Sequence, residues 1–174
     1  MALIKSISGI RGTIGGVPDE NLTPIDAVKF AAAYGFWLKN HVHKTRIKVV
    51  VGRDARLSGE MVQNLVQYTL IGLGIDVVDL GLSTTPTVEV AVTMEQADGG
   101  IILTASHNPK QWNALKLLNN QGEFLNAQEG EEILRIAADN SAVFAEVDAL
   151  GTLSHNDTYI QRHIDAALSL LPLA

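Results

Sequence analysis

Apolar positions recur at helical spacing between Thr23 and Asn40, where Val28, Ala31, Ala32, Gly35 and Leu38 fall on one side of a 3.6-residue repeat. Thr23-Pro24-Ile25-Asp26 offers a side-chain cap with proline in the first turn, so a helix is predicted there. The β-branched run Ile47-Lys48-Val49-Val50-Val51, closed by Gly52, predicts a strand. Ser58 then reads as the cap of a second helix carrying Met61, Val62, Leu65, Val66 and Leu70. The alternation continues with a strand at 75–80, a helix opening at Thr85-Pro86 and a strand at 100–103. A further strand is predicted at 114–118, and a helix opens at Asn126-Ala127-Gln128-Glu129 with Ile133, Leu134 and Ala137 inward. Helix and strand periods taking turns predict a layered α/β domain closing near residue 145. Residues 148–156 are polar, contain Gly151 and show no period. A last amphipathic segment carries Tyr159, Ile160, Ile164, Ala167, Leu168 and Leu171 before Pro172. Residues 146–174 therefore read as a linker and first helix leading into a second domain, with the chain the front portion of something longer.

Of the 174 residues, 47% are hydrophobic and 18% charged, which supports a real core. The formal net charge of −6, with no basic stripe, argues against a nucleic-acid partner. No run reaches the ~18 apolar residues of a membrane helix, and Met1-Ala2-Leu3-Ile4-Lys5 lacks a signal core, so no membrane partner is expected. With no cysteine, thiolate chemistry is excluded and the cytoplasm is the simplest location.

Chemistry concentrates in Gly100-Ile101-Ile102-Leu103-Thr104-Ala105-Ser106-His107-Asn108-Pro109, where an apolar strand delivers a hydroxyl-bearing loop to a sheet end. Ser106 offers an oxygen able to hold a phosphoryl group beside His107 and Asn108. The same residues could equally serve as a capped turn satisfying its own amides. In Ser8-Gly9-Ile10-Arg11-Gly12, glycines on both sides let backbone approach a ligand and aim Arg11 at an anion, or they make a plain turn with a solvated arginine. In Gly52-Arg53-Asp54-Ala55-Arg56, Asp54 is read as pairing structurally with an arginine. Lys116 interrupts the apolar strand Ala114-Leu115-Lys116-Leu117-Leu118 ten positions after Ser106. It either serves a phosphoryl group on a neighbouring strand or faces solvent. His41, His43, His155 and His163 lack metal-ligand spacing and read as solvated.

Together, Ser-Gly-Ile-Arg-Gly at 8–12, Gly-Arg-Asp-Ala-Arg at 52–56 and Thr-Ala-Ser-His-Asn-Pro at 104–109 resemble the first domain of the α-D-phosphohexomutase family over residues 1–145. Combined with the alternation, the resemblance implies a three-layer α/β/α sandwich with a central mixed sheet. It further implies an isomerase that interconverts hexose 1-phosphate and hexose 6-phosphate through a phosphoserine at Ser106 and a hexose bisphosphate intermediate. A hexose bisphosphate acts as primer. Mg²⁺ is expected to touch a phosphate oxygen on Ser106, its other ligands lying in a later domain. Lys116 and Arg11 match residues of proton transfer and substrate positioning, and His107 and Asn108 line the phosphoserine site. Where the family often has Asn-Gly before the lysine-bearing strand, this chain has Asn113-Ala114. The expected partners are a hexose phosphate and the C-terminal domains of the same chain, without which the fragment is expected to be inactive. Two other readings are a non-catalytic sugar-phosphate sensor and a serine hydrolase. The second is opposed by the absence of glycines around Ser106.

Overall fold

A computed structural model describes residues 3–6 and 9–171. Seven strands form one mixed sheet, and five α-helices cover it in two layers, as the three-layer expectation required. The strands are β1 (Leu3–Ser6), β2 (Gly9–Thr13), β3 (Ile47–Arg53), β4 (Ile75–Leu82), β5 (Gly99–Leu103), β6 (Trp112–Leu118) and β7 (Leu153–His155). The helices are α1 (Pro24–His41), α2 (Gly59–Gly72), α3 (Thr85–Met94), α4 (Ala127–Asp139) and α5 (Tyr159–Ser169). The spatial order is β1-β2-β6-β5-β3-β4-β7. β5, β3, β4 and β7 run parallel, whereas β6 is antiparallel to β5 and to β2, and β2 to β1.

Strand alternation divides the core. Val49, Val51, Val77, Ile101, Leu103, Leu115 and Leu117 point to the face covered by α1, α2 and α4, where Phe30, Leu38, Val66, Leu70 and Ile133 meet them. Val50, Val78, Leu80, Ile102 and Leu118 point the other way, onto Val88, Ala91 and Val92 of α3 and Tyr159 of α5. Burial on both faces is why β3 and β5 read as unbroken apolar runs.

Local chemistry sets most element ends. Thr23 and Asp26 form a reciprocal capping box at the start of α1, and Asn126 and Glu129 do the same for α4. Ser58 departs from its expected role. It precedes α2 in a helical conformation without capping it, and its hydroxyl instead accepts the Asn113 side-chain amide at 3.0 Å. β1 and β2 occupy a region read only as a glycine-rich turn, and β7 lies in the stretch read as having no period. β7 is held by long-range groups that three residues of sequence do not reveal: Thr152 donates from its backbone and its hydroxyl to Asp76 on β4. Burial would raise the Asp76 carboxyl, but hydrogen bonds from Thr152 and Arg46 and the nearby guanidinium hold it below its ordinary value. Three of the four histidines read as solvated have partners: His41 Nδ1 lies 2.9 Å from the Trp37 carbonyl, His155 pairs with Asp79, and His163 contacts the Thr87 hydroxyl.

Tyr34 joins α1 to the centre of the sheet. Its hydroxyl, fully buried, donates to the Leu118 carbonyl at 2.7 Å and lies 3.3 Å from that of Gly100. Only glycine at 99 leaves room for it, since a Cβ there would sit 2.0 Å from the hydroxyl oxygen. Tyr34→Phe is expected to lower unfolding free energy by about 1–2 kcal/mol, read as a lower urea midpoint at unchanged slope. Among the described residues no helix is long and apolar enough to cross a membrane.

Candidate active site

The parallel strands β3, β4 and β5 end on one edge of the sheet, the edge at which ligands collect in open α/β folds. The segment joining β5 to β6 carries Ser106 there, exposed, with its backbone in the left-handed region at φ 53°. For a residue with a Cβ that conformation costs on the order of 1 kcal/mol, so the surroundings must impose it. The turn is tight: the Asn108 backbone N–H and side-chain amide both donate to the Ala105 carbonyl, at 3.0 and 2.8 Å.

Sheet register brings the other candidates to the same place. Gly9 pairs with Lys116 and Arg11 with Ala114 across β2 and β6, so Arg11 and Lys116 project from one face as diagonal neighbours. That face is the one α3 covers further along the sheet, where α3 packs on β3 and β5. Gly9 adopts φ 139° against the Lys116 backbone, and a Cβ on it would lie 2.2 Å from the Leu115 carbonyl oxygen. Lys116 is half-buried, and its Nζ donates to Ser106 Oγ at 3.0 Å while standing 5.9 Å from the centre of the Phe124 ring. Asn113-Ala114, at the departure from the family pattern, is part of β6 itself. The Asn113 side chain accepts the Ala114 N–H at 2.8 Å, and Lys116 still reaches the serine.

Ser6, Gly9, Arg11, Ala114, Leu115 and Lys116 line a cleft of about 100 Å³. Sites that enclose a small-molecule ligand typically occupy ~300–1,000 Å³, so this cleft has room for an anionic group rather than a whole sugar phosphate. Among the described residues the Arg11 guanidinium has no hydrogen-bond or ion-pair partner, which leaves its donors for such a group. Lys116 and Arg11 place two cations in one cleft, the first of them bonded to the exposed Ser106 hydroxyl, on a chain whose net charge is −6.

The structure thus brings Ser106, Lys116 and Arg11 together. His107 is exposed and its ring makes no hydrogen bond among the described residues, and the group bonded to Ser106 Oγ is Lys116 rather than a histidine. The Asn108 side chain closes the turn. Ser8 of the first motif lies outside the described residues, as do Pro172, Leu173 and Ala174. The described residues supply no complete magnesium site of their own. Among the described residues no group of three acidic or histidine side chains could hold a metal ion, and Asp54, the carboxylate tied to the Ser106 loop, is engaged by Arg56 and Thr104.

Sequence reasoning missed the reach of Arg56. Its pairing with Asp54 was expected and is present, at 3.1 Å, but its guanidinium also lies under the Ser106 loop and donates to four of its carbonyls. No local signal announces contacts that span 50 to 56 residues.

Residues 4–143 match the family model described as phosphoglucomutase/phosphomannomutase, alpha/beta/alpha domain I. The chain is 36% identical over 157 residues to a phosphoglucomutase/phosphomannomutase of Thermococcus kodakarensis, covering 89% of this chain and 34% of that protein. It is 37% identical over 147 residues to a phosphoglucosamine mutase of Ligilactobacillus salivarius, covering 82% and 33%. A crystal structure of a phosphoglucomutase/phosphomannomutase family protein from Burkholderia thailandensis has the same fold, with a TM-score of 0.79 at 22% identity over 98% of this chain and 36% of that one. The chain spans about a third of the length of the curated relatives it matches.

Proposed function

The chain belongs to the phosphoglucomutase/phosphomannomutase family as its α/β/α domain I, and from that premise we propose that it is the phosphoryl-carrying domain of a hexose phosphate mutase, with Ser106 the carrier. The observation that supports this most is the 3.0 Å hydrogen bond from Lys116 Nζ to an exposed Ser106 Oγ held on a strained turn.

In this reading Ser106 begins each cycle phosphorylated. The free hydroxyl oxygen of a hexose monophosphate bonds the phosphorus and sheds its proton to water, and the bond from phosphorus to Oγ breaks with its electron pair going to Oγ. Lys116, already hydrogen-bonded to that oxygen, supplies the compensating proton or stabilises the charge. The product is a hexose bisphosphate. Return of its other phosphoryl group to Oγ reverses each of these movements and leaves the isomeric monophosphate. Arg11, whose donors have no partner among the described residues, holds a phosphate of the sugar in place. The cleft is too small to enclose a hexose, so selection among glucose, mannose and glucosamine phosphates falls to parts of the full-length protein outside these residues. Magnesium, if used, draws its carboxylate ligands from those parts as well, and no step above is routed through it.

The test is a substrate panel with covalent readout. Full-length protein incubated with a hexose 1,6-bisphosphate is expected to gain one phosphoryl group, mapped by peptide mass spectrometry to Ser106. It should then interconvert the 1- and 6-phosphates of at least one of the three sugars. Sugar-phosphate binding without phosphorylation or turnover would replace the mutase reading with that of a sensor.

A further inference from the structure

Arg56 has a side chain only 11% exposed, and all five of its N–H donors are committed. Nε donates to Asp54 Oδ2 at 3.1 Å. Nη1 donates to the carbonyls of Pro109 and Trp112, both at 2.9 Å, and Nη2 to those of Ser106 and Asn108 at 2.8 and 2.9 Å. Asp54 works from the other side of the loop. Its Oδ1 accepts the Arg56 backbone N–H, and its Oδ2 accepts the Thr104 hydroxyl at 2.6 Å. The oxygen of that hydroxyl in turn accepts the Ser106 N–H at 3.0 Å.

Both peptide groups flanking the Ser106 Cα are therefore tied to one ion pair: the preceding N–H through Thr104, the following carbonyl directly. Fixing both peptide planes fixes φ and ψ, and with them the direction of the Cα–Cβ bond from which Oγ reaches Lys116. We infer that Arg56, oriented by Asp54, is a positioning residue that imposes the left-handed conformation of Ser106 and so aims its Oγ at Lys116; the inference rests on Ser106 being the phosphoryl carrier. A saturated guanidinium has no donor left for a substrate phosphate, which separates Arg56 from Arg11. Lysine cannot replace it, because three tetrahedral donors cannot reach four carbonyls and a carboxylate arranged around a plane.

The experiment compares wild type, Arg56→Lys and Arg56→Ala in the full-length protein. It measures kcat and KM separately for the preferred hexose phosphate, together with amide hydrogen exchange across residues 104–113. Both variants are expected to lose about tenfold to a hundredfold in kcat, with KM within about twofold of wild type, and to exchange the loop amides about tenfold faster while α1 keeps its protection. A lysine variant with wild-type kcat and exchange overturns the inference, and so does a loss confined to KM, which would mean that Arg56 grips substrate. If both variants fail to fold, Thr104→Val decides. It removes the hydroxyl that joins Asp54 to the Ser106 N–H and leaves the Arg56 guanidinium in place, and wild-type kcat and exchange there overturn the inference. An inert, unphosphorylated wild type would sink the mutase reading separately, while the exchange comparison still reports whether Arg56 pins the loop.

Discussion

Ser106→Ala is expected to abolish turnover of hexose phosphates, by on the order of 10³-fold or more, while leaving the fold intact. The size of the effect follows from chemistry, since among the described residues no other hydroxyl is hydrogen-bonded to Lys116. The Thr104 hydroxyl is committed to Asp54 and to the Ser106 N–H, so deleting Oγ removes the carrier rather than weakening it. The fold should not notice. Ser106 is exposed, its Oγ contributes one hydrogen bond to a half-buried lysine, and alanine meets the same left-handed strain that serine already bears, so stability should change by no more than about 0.5 kcal/mol. The assay is magnesium-supplemented turnover of glucose, mannose and glucosamine 1-phosphates with a bisphosphate primer, beside a thermal melt of each protein. An active Ser106→Ala protein would end the phosphoserine reading outright.

Lys116→Met is expected to lower kcat by on the order of 10²–10⁴-fold with a smaller change in KM. Methionine keeps the length and apolar stem of the side chain, so packing beside Phe124 survives while the charge and the donor to Ser106 Oγ are lost. β6 should accept the change without loss of stability, since position 116 is half-buried between Leu115 and Leu117 and interrupts an otherwise apolar strand. A solvent-facing lysine with no part in the chemistry would give the opposite pattern, with full activity in the Met variant. The discriminating measurement is the rate at which Ser106 is phosphorylated by hexose bisphosphate, which should fall with kcat because the proton supplied to Oγ in one direction must be taken from it in the other.

The chain itself announced most of its layers. Capping residues at Thr23 and Asn126, the β-branched run of β3 and the apolar strands β5 and β6 are local signals, and local signals survive folding because neighbours in sequence remain neighbours in space. The Thr104–Pro109 motif likewise marked the loop that carries Ser106 to the sheet edge, and a lysine inside an apolar strand marked itself as needing an explanation. Tertiary structure showed its ammonium donating to Ser106 Oγ. Only the antiparallel register of β5, β6 and β2 puts Lys116 against Ser106 and Arg11 on the same face, and a slip of one residue would send both cations into the opposite core. β1, β2 and β7 were invisible because short strands are defined by their partners rather than by their own composition. Arg56 was hidden for the same reason: its sequence neighbourhood shows an ion pair, and only the folded chain brings the carbonyls of residues 106–112 within reach of its remaining four donors.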